Sequence, residues 1–185
     1  TRGMKVSLAA CAFAALAGCA ALPGGGPPPL DTYELTAPGV AARPSRGRTQ
    51  ILIAEPSALK ALDSQNIVIK TGHGTIEYLK GAQWSDRLPN VVQTRLAEAF
   101  ERGGGFAGVG MPGQGLAIDY QIVTDIRAFE VSAGGGSRAQ VRLFVRILND
   151  RNGTVRAARS FEAAAPVSGS GNDAYFRALD RAFGT

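Results

Sequence analysis

The sequence has few residues of the kinds that form redox, metal or nucleophilic sites. Its 185 residues include two cysteines and one histidine. Both cysteines, Cys11 and Cys19, lie near the start, so the rest of the chain offers no thiol for a disulfide, a zinc cluster or a thiol nucleophile. His73 stands between two glycines, as expected of a turn, and no G-x-S-x-G motif supplies it with a nucleophile. We therefore expect no catalytic residue, no metal site, no cofactor and no enzymatic activity.

Clustered positive charge is also missing. Twenty Lys and Arg face fifteen Asp and Glu, for a net charge of +5. Arg2 and Lys5 lie in a segment that we expect to be removed, which leaves +3 for the remainder. No run of five or six basic residues occurs, so nucleic acid is not an expected partner. The G-x-G-x-x-G pattern at 108–113 runs into a predicted strand and not a helix, so we interpret it as a flexible loop and not as a nucleotide site.

The first residues have the organisation of an export signal. Arg2 and Lys5 precede an apolar run from Val6 to Ala17 that is too short to span a bilayer. The run ends in Leu-Ala-Gly-Cys at 16–19, which resembles the lipobox of bacterial lipoproteins. This resemblance implies cleavage before Cys19 and lipidation of its thiol. The alternative is an ordinary secretory signal in which Cys19 is incidental.

These features divide the chain into three parts. Residues 1–18 are predicted to be a signal peptide, 19–31 a lipidated Pro/Gly-rich tether, and 32–185 a single periplasmic domain. In the sorting rule of such lipoproteins, Asp after the cysteine favours inner-membrane retention, and this chain has Ala20 there. We therefore expect a lipid anchor in the outer membrane, with the domain facing the periplasm.

Hydrophobic periodicity predicts an α+β domain. Strands are expected at 32–37, 49–54, 67–70, 75–79, 116–131, 138–148 and 155–162, a helical turn at 57–62, and helices at 87–102 and 174–183. Asp86 is the expected N-cap of the first helix, because Pro89 then lies in its first turn. Asn152-Gly153 indicates a tight hairpin between the last two strands. The predicted fold is an antiparallel sheet of long strands that two helices cover on one face.

The segment before the first long helix is the candidate partner-binding surface. Trp84, the lone tryptophan, is either a core residue or an exposed binding residue, and the sequence leaves both readings open. Gln83, Asp86 and Arg87 surround it with hydrogen-bonding and charged groups. An aromatic anchor inside a polar rim is a common arrangement in protein interfaces, so these four residues are predicted to contact a partner.

Three stretches resemble a known family. Residues 62–70 and 76–79, together with Gly-Ala-Gln-Trp-Ser-Asp-Arg-Leu-Pro at 81–89, look like the ABC-type transport auxiliary lipoproteins, which include the PqiC-like lipoproteins that accompany MCE proteins. The resemblance implies a non-catalytic accessory of a system that moves lipids or other hydrophobic molecules across the envelope. Its expected partners are an MCE-family protein with its ABC permease and ATPase. The alternative function is a structural outer-membrane assembly lipoprotein unrelated to lipid transport.

Overall fold

A computed structural model describes residues 28–42, 47–72, 74–133 and 136–185. The predicted signal peptide, most of the tether, Cys19 and His73 lie outside these ranges. The described residues form nine strands and two helices, which are β1 (Asp31–Tyr33), β2 (Gln50–Ile53), β3 (Ser57–Ala58), β4 (Asn66–Thr71), β5 (Thr75–Trp84), α1 (Leu88–Gly103), β6 (Gly108–Gly110), β7 (Tyr120–Ala133), β8 (Arg138–Asn149), β9 (Val155–Pro166) and α2 (Asn172–Phe183).

The strands form one mixed sheet in which β7 is the main organising strand. Along one edge β7 pairs antiparallel with β8, and β8 pairs antiparallel with β9. Along its other edge β7 pairs parallel with β2, β3 and β4 at successive positions. Strand β5 joins β4 antiparallel, while β1 and β6 add parallel pairs to β5 and β2. The α+β class is confirmed and the sheet is mostly antiparallel, but it is not entirely so, because β1, β2, β3, β4 and β6 each make a parallel pair.

The directions of the short strands were mispredicted because they depend on the connections between these strands. Parallel neighbours need a crossover connection, and hydrophobic alternation within a strand carries no information about the direction of its neighbour.

The hairpin between β8 and β9 was easier to recognise from the sequence. Gly153 adopts a φ of 67°, a conformation that glycine tolerates without strain. The Asn152 side chain accepts a hydrogen bond from the Thr154 N–H at 3.1 Å. The predicted Asn-Gly hairpin is confirmed by the antiparallel pairing of β8 with β9.

The main core contains side chains of both helices and of the sheet. Trp84, Phe129 and Val131 from the sheet belong to one buried cluster with Val92 from α1 and Leu179 from α2. The apolar spacing of both helices accounts for this, because residues at i, i+3 and i+4 share one helix face. In the described part of the chain, neither helix is long and apolar enough to cross a membrane.

Three predicted elements differ from the structure because tertiary contacts override local preference. Strand β1 ends at Tyr33 and not at Ala37, and the Thr36 N–H donates to Asp180 Oδ1 at 2.7 Å instead of to a strand. The prediction of a helical turn at 57–62 is wrong at its start, because Ser57–Ala58 forms a strand that pairs with β7. A turn does follow, in which the Leu62 N–H donates to the Leu59 carbonyl. Residues 108–110 form β6 rather than a loop.

Candidate functional site

The predicted partner-binding residues meet at the corner between β5 and α1. Trp84 ends β5, and its N–H donates to the Gln65 carbonyl at 2.8 Å. The next N–H, that of Ser85, donates to the Tyr33 carbonyl at 2.8 Å, which closes the turn against β1. Parallel pairing of β1 with β5 therefore fixes the backbone on which Gln83, Asp86 and Arg87 stand.

Trp84 is a core residue in the structure. It is 1% exposed, and its ring makes edge contacts with Phe129 and Phe176 at centroid distances of 5.6 Å and 6.4 Å. The sequence left open whether Trp84 is a core residue or an exposed binding residue, and this burial supports the first interpretation. An indole enclosed in this way cannot reach a partner unless the domain rearranges. Any docking surface at this corner therefore consists of the polar residues around Trp84.

Asp86 does not cap the helix as predicted. The N-cap is Arg87, and it makes no side-chain capping bond. Asp86 instead accepts a hydrogen bond from the Asn90 side chain at 3.0 Å and one from the Arg87 N–H at 2.6 Å. These two bonds, in that order of importance, lower the pKa of Asp86 below its usual value. The carboxylate therefore remains beside the helix N-terminus, but one position earlier than a cap.

Gln83 and Arg87 are already bonded within the chain. Arg87 forms ion pairs with Asp63 and Glu55, the second at 3.2 Å, and the hydrogen bond to Asp63 is the main cause of its raised pKa. Gln83 Nε2 donates to Thr32 Oγ1 at 3.3 Å. The polar surface of the corner is thus ordered before any partner arrives, which reduces the entropy that binding would cost.

Tyr33 connects β1 to α2 beside this corner. Its ring stacks on Phe176 with centroids 4.6 Å apart, and its hydroxyl donates to Asp173 Oδ1 at 2.6 Å. Burial, and then the hydrogen bond to Asp173, raise the pKa of Tyr33 to about 12. The N-terminal strand is therefore held against the last helix by both packing and hydrogen bonding.

An apolar groove between the two helices is the feature that the sequence reading missed. Its inner part encloses about 300 Å³ between Leu96 and Phe100 of α1, Phe183 of α2 and the sheet. Its outer part, of about 760 Å³, continues past Phe100 towards Phe106. The sheet contributes the aliphatic face of β7 and β8 and one side of β9 to these two parts, namely Ile122, Thr124, Val141, Leu143, Val145, Ile147, Phe161 and Ala163.

Two residues of the groove are unusual for a folded core. Phe161 is 48% exposed although it lies opposite Leu143 of β8 and lines the groove. Thr124 is fully buried, and its hydroxyl has no hydrogen-bond partner among the described residues. A buried hydroxyl without a partner costs free energy, and an exposed phenylalanine contributes little. The groove is therefore not optimised for the stability of the isolated domain. The apolar alternation of β8 showed that one face of this strand is apolar, but it did not show that the helices leave part of that face uncovered.

The outer mouth of the groove is basic. A β-bulge interrupts the hairpin there, because Ile147 pairs with Ala157 and Leu148 with Val155, which leaves Arg156 without a partner on β8. Arg156 lines the outer part, and Arg159 lies over the Phe161 ring at 5.2 Å.

A small polar cleft extends this mouth and shares Thr49 and Tyr120 with the outer groove. Arg48 and Arg151 line this cleft, and Arg151 pairs with Asp119 at 3.7 Å. With Arg156, three arginines and one aspartate thus line the cleft and the outer groove.

The described ranges offer groups that can bind a ligand. Within them, no three His, Cys, Asp or Glu side chains come close enough together to hold a metal ion. The groove presents methyl, methylene and aromatic groups, with guanidinium groups at one end. An elongated apolar molecule with an acidic end is the kind of ligand that this surface complements.

Comparison with known proteins places the chain in a family. The profile of the ABC-type transport auxiliary lipoprotein component family matches residues 33–185. An uncharacterised protein of Bradyrhizobium diazoefficiens is 33% identical over 176 residues, which are 91% of this chain and 46% of that protein. The chain thus spans about half the length of this relative.

Solved structures share the fold. The crystal structure of a Xanthomonas campestris protein of the DUF330 family superposes with a TM-score of 0.73 and 27% identity, and the match covers 83% of this chain and 88% of that one. A second, uncharacterised protein superposes with a TM-score of 0.63 at 13% identity, over 84% of this chain and 92% of that one, which indicates a shared fold alone. With a family profile that matches most of its length, the chain belongs to the ABC-type transport auxiliary lipoprotein component family.

Proposed function

We propose that this member of the ABC-type transport auxiliary lipoprotein family is a non-catalytic accessory of a system that moves lipids or other hydrophobic molecules across the cell envelope. Its partners would be an MCE-family protein and the associated ABC permease and ATPase. The family match over residues 33–185 is the observation that carries this proposal. The apolar groove supports it, because a surface of this kind can contact hydrophobic cargo.

The proposal includes a lipid anchor. Cys19, which follows the lipobox-like residues, would carry the acyl chains, and residues 19–31 would act as the tether. Ala20 after the cysteine favours the outer membrane, so the domain would face the periplasm. At about 3 Å per residue, an extended tether would place the domain roughly 30 Å from the membrane.

We place the dock for the MCE-family partner at the corner between β5 and α1. Gln83, Asp86 and Arg87 offer donors and acceptors on a backbone that β1 holds in place. Trp84 would support this surface from below and would not touch the partner, since it is 1% exposed.

Affinity purification of the full lipidated chain from detergent-solubilised membranes of its own cell tests both the MCE-family partner and the position of its binding surface. The expected result is co-purification of an MCE-family protein, identified by mass spectrometry. The double variant Gln83→Ala with Arg87→Ala should capture less of it. A matched control, Gln140→Ala with Arg138→Ala on β8, changes the same residue types and should capture as much as the parent.

Two results would contradict the proposal in different ways. Equal capture by the double variant and the parent would remove the dock from this corner. Co-purification of an outer-membrane assembly machine, with no MCE or ABC component, would instead favour a structural assembly lipoprotein.

A further inference from the structure

We infer that the groove binds a single fatty acyl chain that ends in an acidic group, with the chain between the helices and the acid at Arg156. This inference rests on the proposed function, because it makes the protein itself a carrier of the hydrophobic cargo. Shape, polarity and charge each support it.

The groove has the length of one acyl chain. Arg156 and Ala163 mark its outer and inner ends on β9, and the seven-residue separation corresponds to roughly 20 Å of strand. One leaflet of a bilayer, which a single acyl chain crosses, is about 15 Å thick, or half of the hydrocarbon core. A chain of membrane-lipid length therefore fits between the two ends.

The inner part is too small for a helix of a partner protein. One turn of a helix about 10 Å in diameter occupies roughly 400 Å³, whereas the inner part encloses about 300 Å³. An acyl chain is much thinner and needs no rearrangement of Leu96, Phe183 or the sheet. In the inner part, the volume therefore favours a lipid chain over an inserted helix.

Charge gives the ligand one orientation. At the inner end, the β8 and β9 side chains that face the groove, such as Val141 and Ala163, carry no charge. At the outer end, Arg156 and Arg159 make no ion pair with any residue of the described ranges. An acidic group would form a charge-assisted hydrogen bond at the Arg156 end and would find no charged partner at the apolar inner end. The bulge at Arg156 brings its side chain into the lining of the groove.

Two neighbouring alanines of β9 provide the test. Ala163 lines the groove, whereas the side chain of Ala164 points to the opposite face of the strand and is exposed. Ala163→Phe should fill the inner part, and Ala164→Phe adds the same ring to the same strand outside the groove. Binding of the fluorescent fatty acid cis-parinaric acid to the purified domain is the measurement. We expect Ala163→Phe to weaken it by at least about tenfold, and Ala164→Phe to leave it within about twofold of the parent.

A second pair of variants tests the acidic group. Arg156→Gln should weaken binding of the acid roughly tenfold, the expected size for the loss of one charge-assisted hydrogen bond. Its matched control is Arg127→Gln, since Arg127 lies over Phe144 on the other face of the sheet. The corresponding uncharged alcohol, assayed by displacement of cis-parinaric acid, should bind parent and Arg156→Gln equally.

Several outcomes would overturn the inference. Equal binding by Ala163→Phe and Ala164→Phe would exclude the groove. If Arg156→Gln lost the same affinity for the acid and for the alcohol, the charged contact would be excluded. A change in oligomeric state on Ala163→Phe, without fatty acid binding by the parent, would assign the groove to a second copy of the chain. If Ala163→Phe does not fold, Phe161→Ser replaces it, because Phe161 is half exposed and forms one wall.

These assays use the purified domain without a partner. The proposed function is tested by capture of an MCE-family protein, which requires no fatty acid. Capture without lipid binding would remove the inference and leave the proposed function. Lipid binding without capture of an MCE-family protein would remove the proposed function and leave lipid binding by the groove.

Discussion

Replacement of Trp84 by alanine gives the sharpest test of how the corner between β5 and α1 is built. Trp84 is 1% exposed and is the largest of the fully buried side chains. Truncation of a buried tryptophan to alanine typically costs about 3–5 kcal/mol of unfolding free energy. The variant also loses the edge contacts to Phe129 and Phe176, each worth about 0.5–1.5 kcal/mol beyond the buried area and partly included in that range.

We therefore expect a loss of about 4 kcal/mol, a large part of the roughly 5–15 kcal/mol that stabilises a typical domain. Urea unfolding followed by far-ultraviolet circular dichroism is the suitable assay, because the substitution removes the lone tryptophan and with it the fluorescence signal. Trp84→Phe serves as control, since it retains a ring against Phe129 and should lose clearly less.

A loss below about 1 kcal/mol in Trp84→Ala would refute the core assignment, because substitutions on exposed surfaces have effects of that size. If that small loss came with loss of MCE-protein capture, Trp84 would be an interface anchor after all. A large loss of stability with capture retained at low temperature would confirm that the indole only supports the surface.

Three further predictions follow from single groups. Between about pH 10 and pH 12 the free energy of unfolding should fall, because the pKa of Tyr33 is raised in the folded domain and deprotonation of its phenol therefore favours the unfolded chain. Tyr33→Phe should reduce the slope of unfolding free energy against pH in this range, and an unchanged slope would contradict the prediction. Thr124→Val should raise the unfolding free energy by about 1 kcal/mol, since it removes a buried hydroxyl without a partner; a loss above 1 kcal/mol would mean that the hydroxyl is bonded. Cys19→Ala should abolish incorporation of an acyl label, and a variant that stays labelled would disprove the anchor site.

Long periodic elements were predictable from the sequence. The stripe of apolar residues from Leu88 to Phe100 predicts a helix and the structure has one, because this pattern can bury one face only as a helix. The alternation in β7 and β8 was equally informative. Short strands were not predictable, since Ser57–Ala58 has no pattern of its own and becomes a strand only through pairing with β7.

The candidate site was predictable only in part. The polar residues of the corner stood out because Gln83, Asp86 and Arg87 flank a lone tryptophan, but the sequence could not decide between burial and exposure of Trp84. The groove was not predictable, because it depends on the gap between two helices that are far apart in the sequence. Arg156 belongs to it only through the bulge, and a single unpaired residue in a hairpin leaves no signal in the alternation of the strand.

The two proposed surfaces share one core, and this determines which variants can distinguish them. Trp84 contacts Phe129, whose ring lies 5.9 Å from that of Phe183, and Phe183 lines the groove. Core side chains in contact are energetically coupled, so a cavity at Trp84 would disturb the corner above it and could also shift α2 beside the groove. Loss of partner capture or of lipid binding in a core variant would therefore assign neither function. The pair Ala163→Phe and Ala164→Phe reduces this ambiguity, because both variants add the same ring to the same strand. Since Ala163 packs against this core, the result is assigned to the groove only if Ala163→Phe retains the unfolding free energy of the parent.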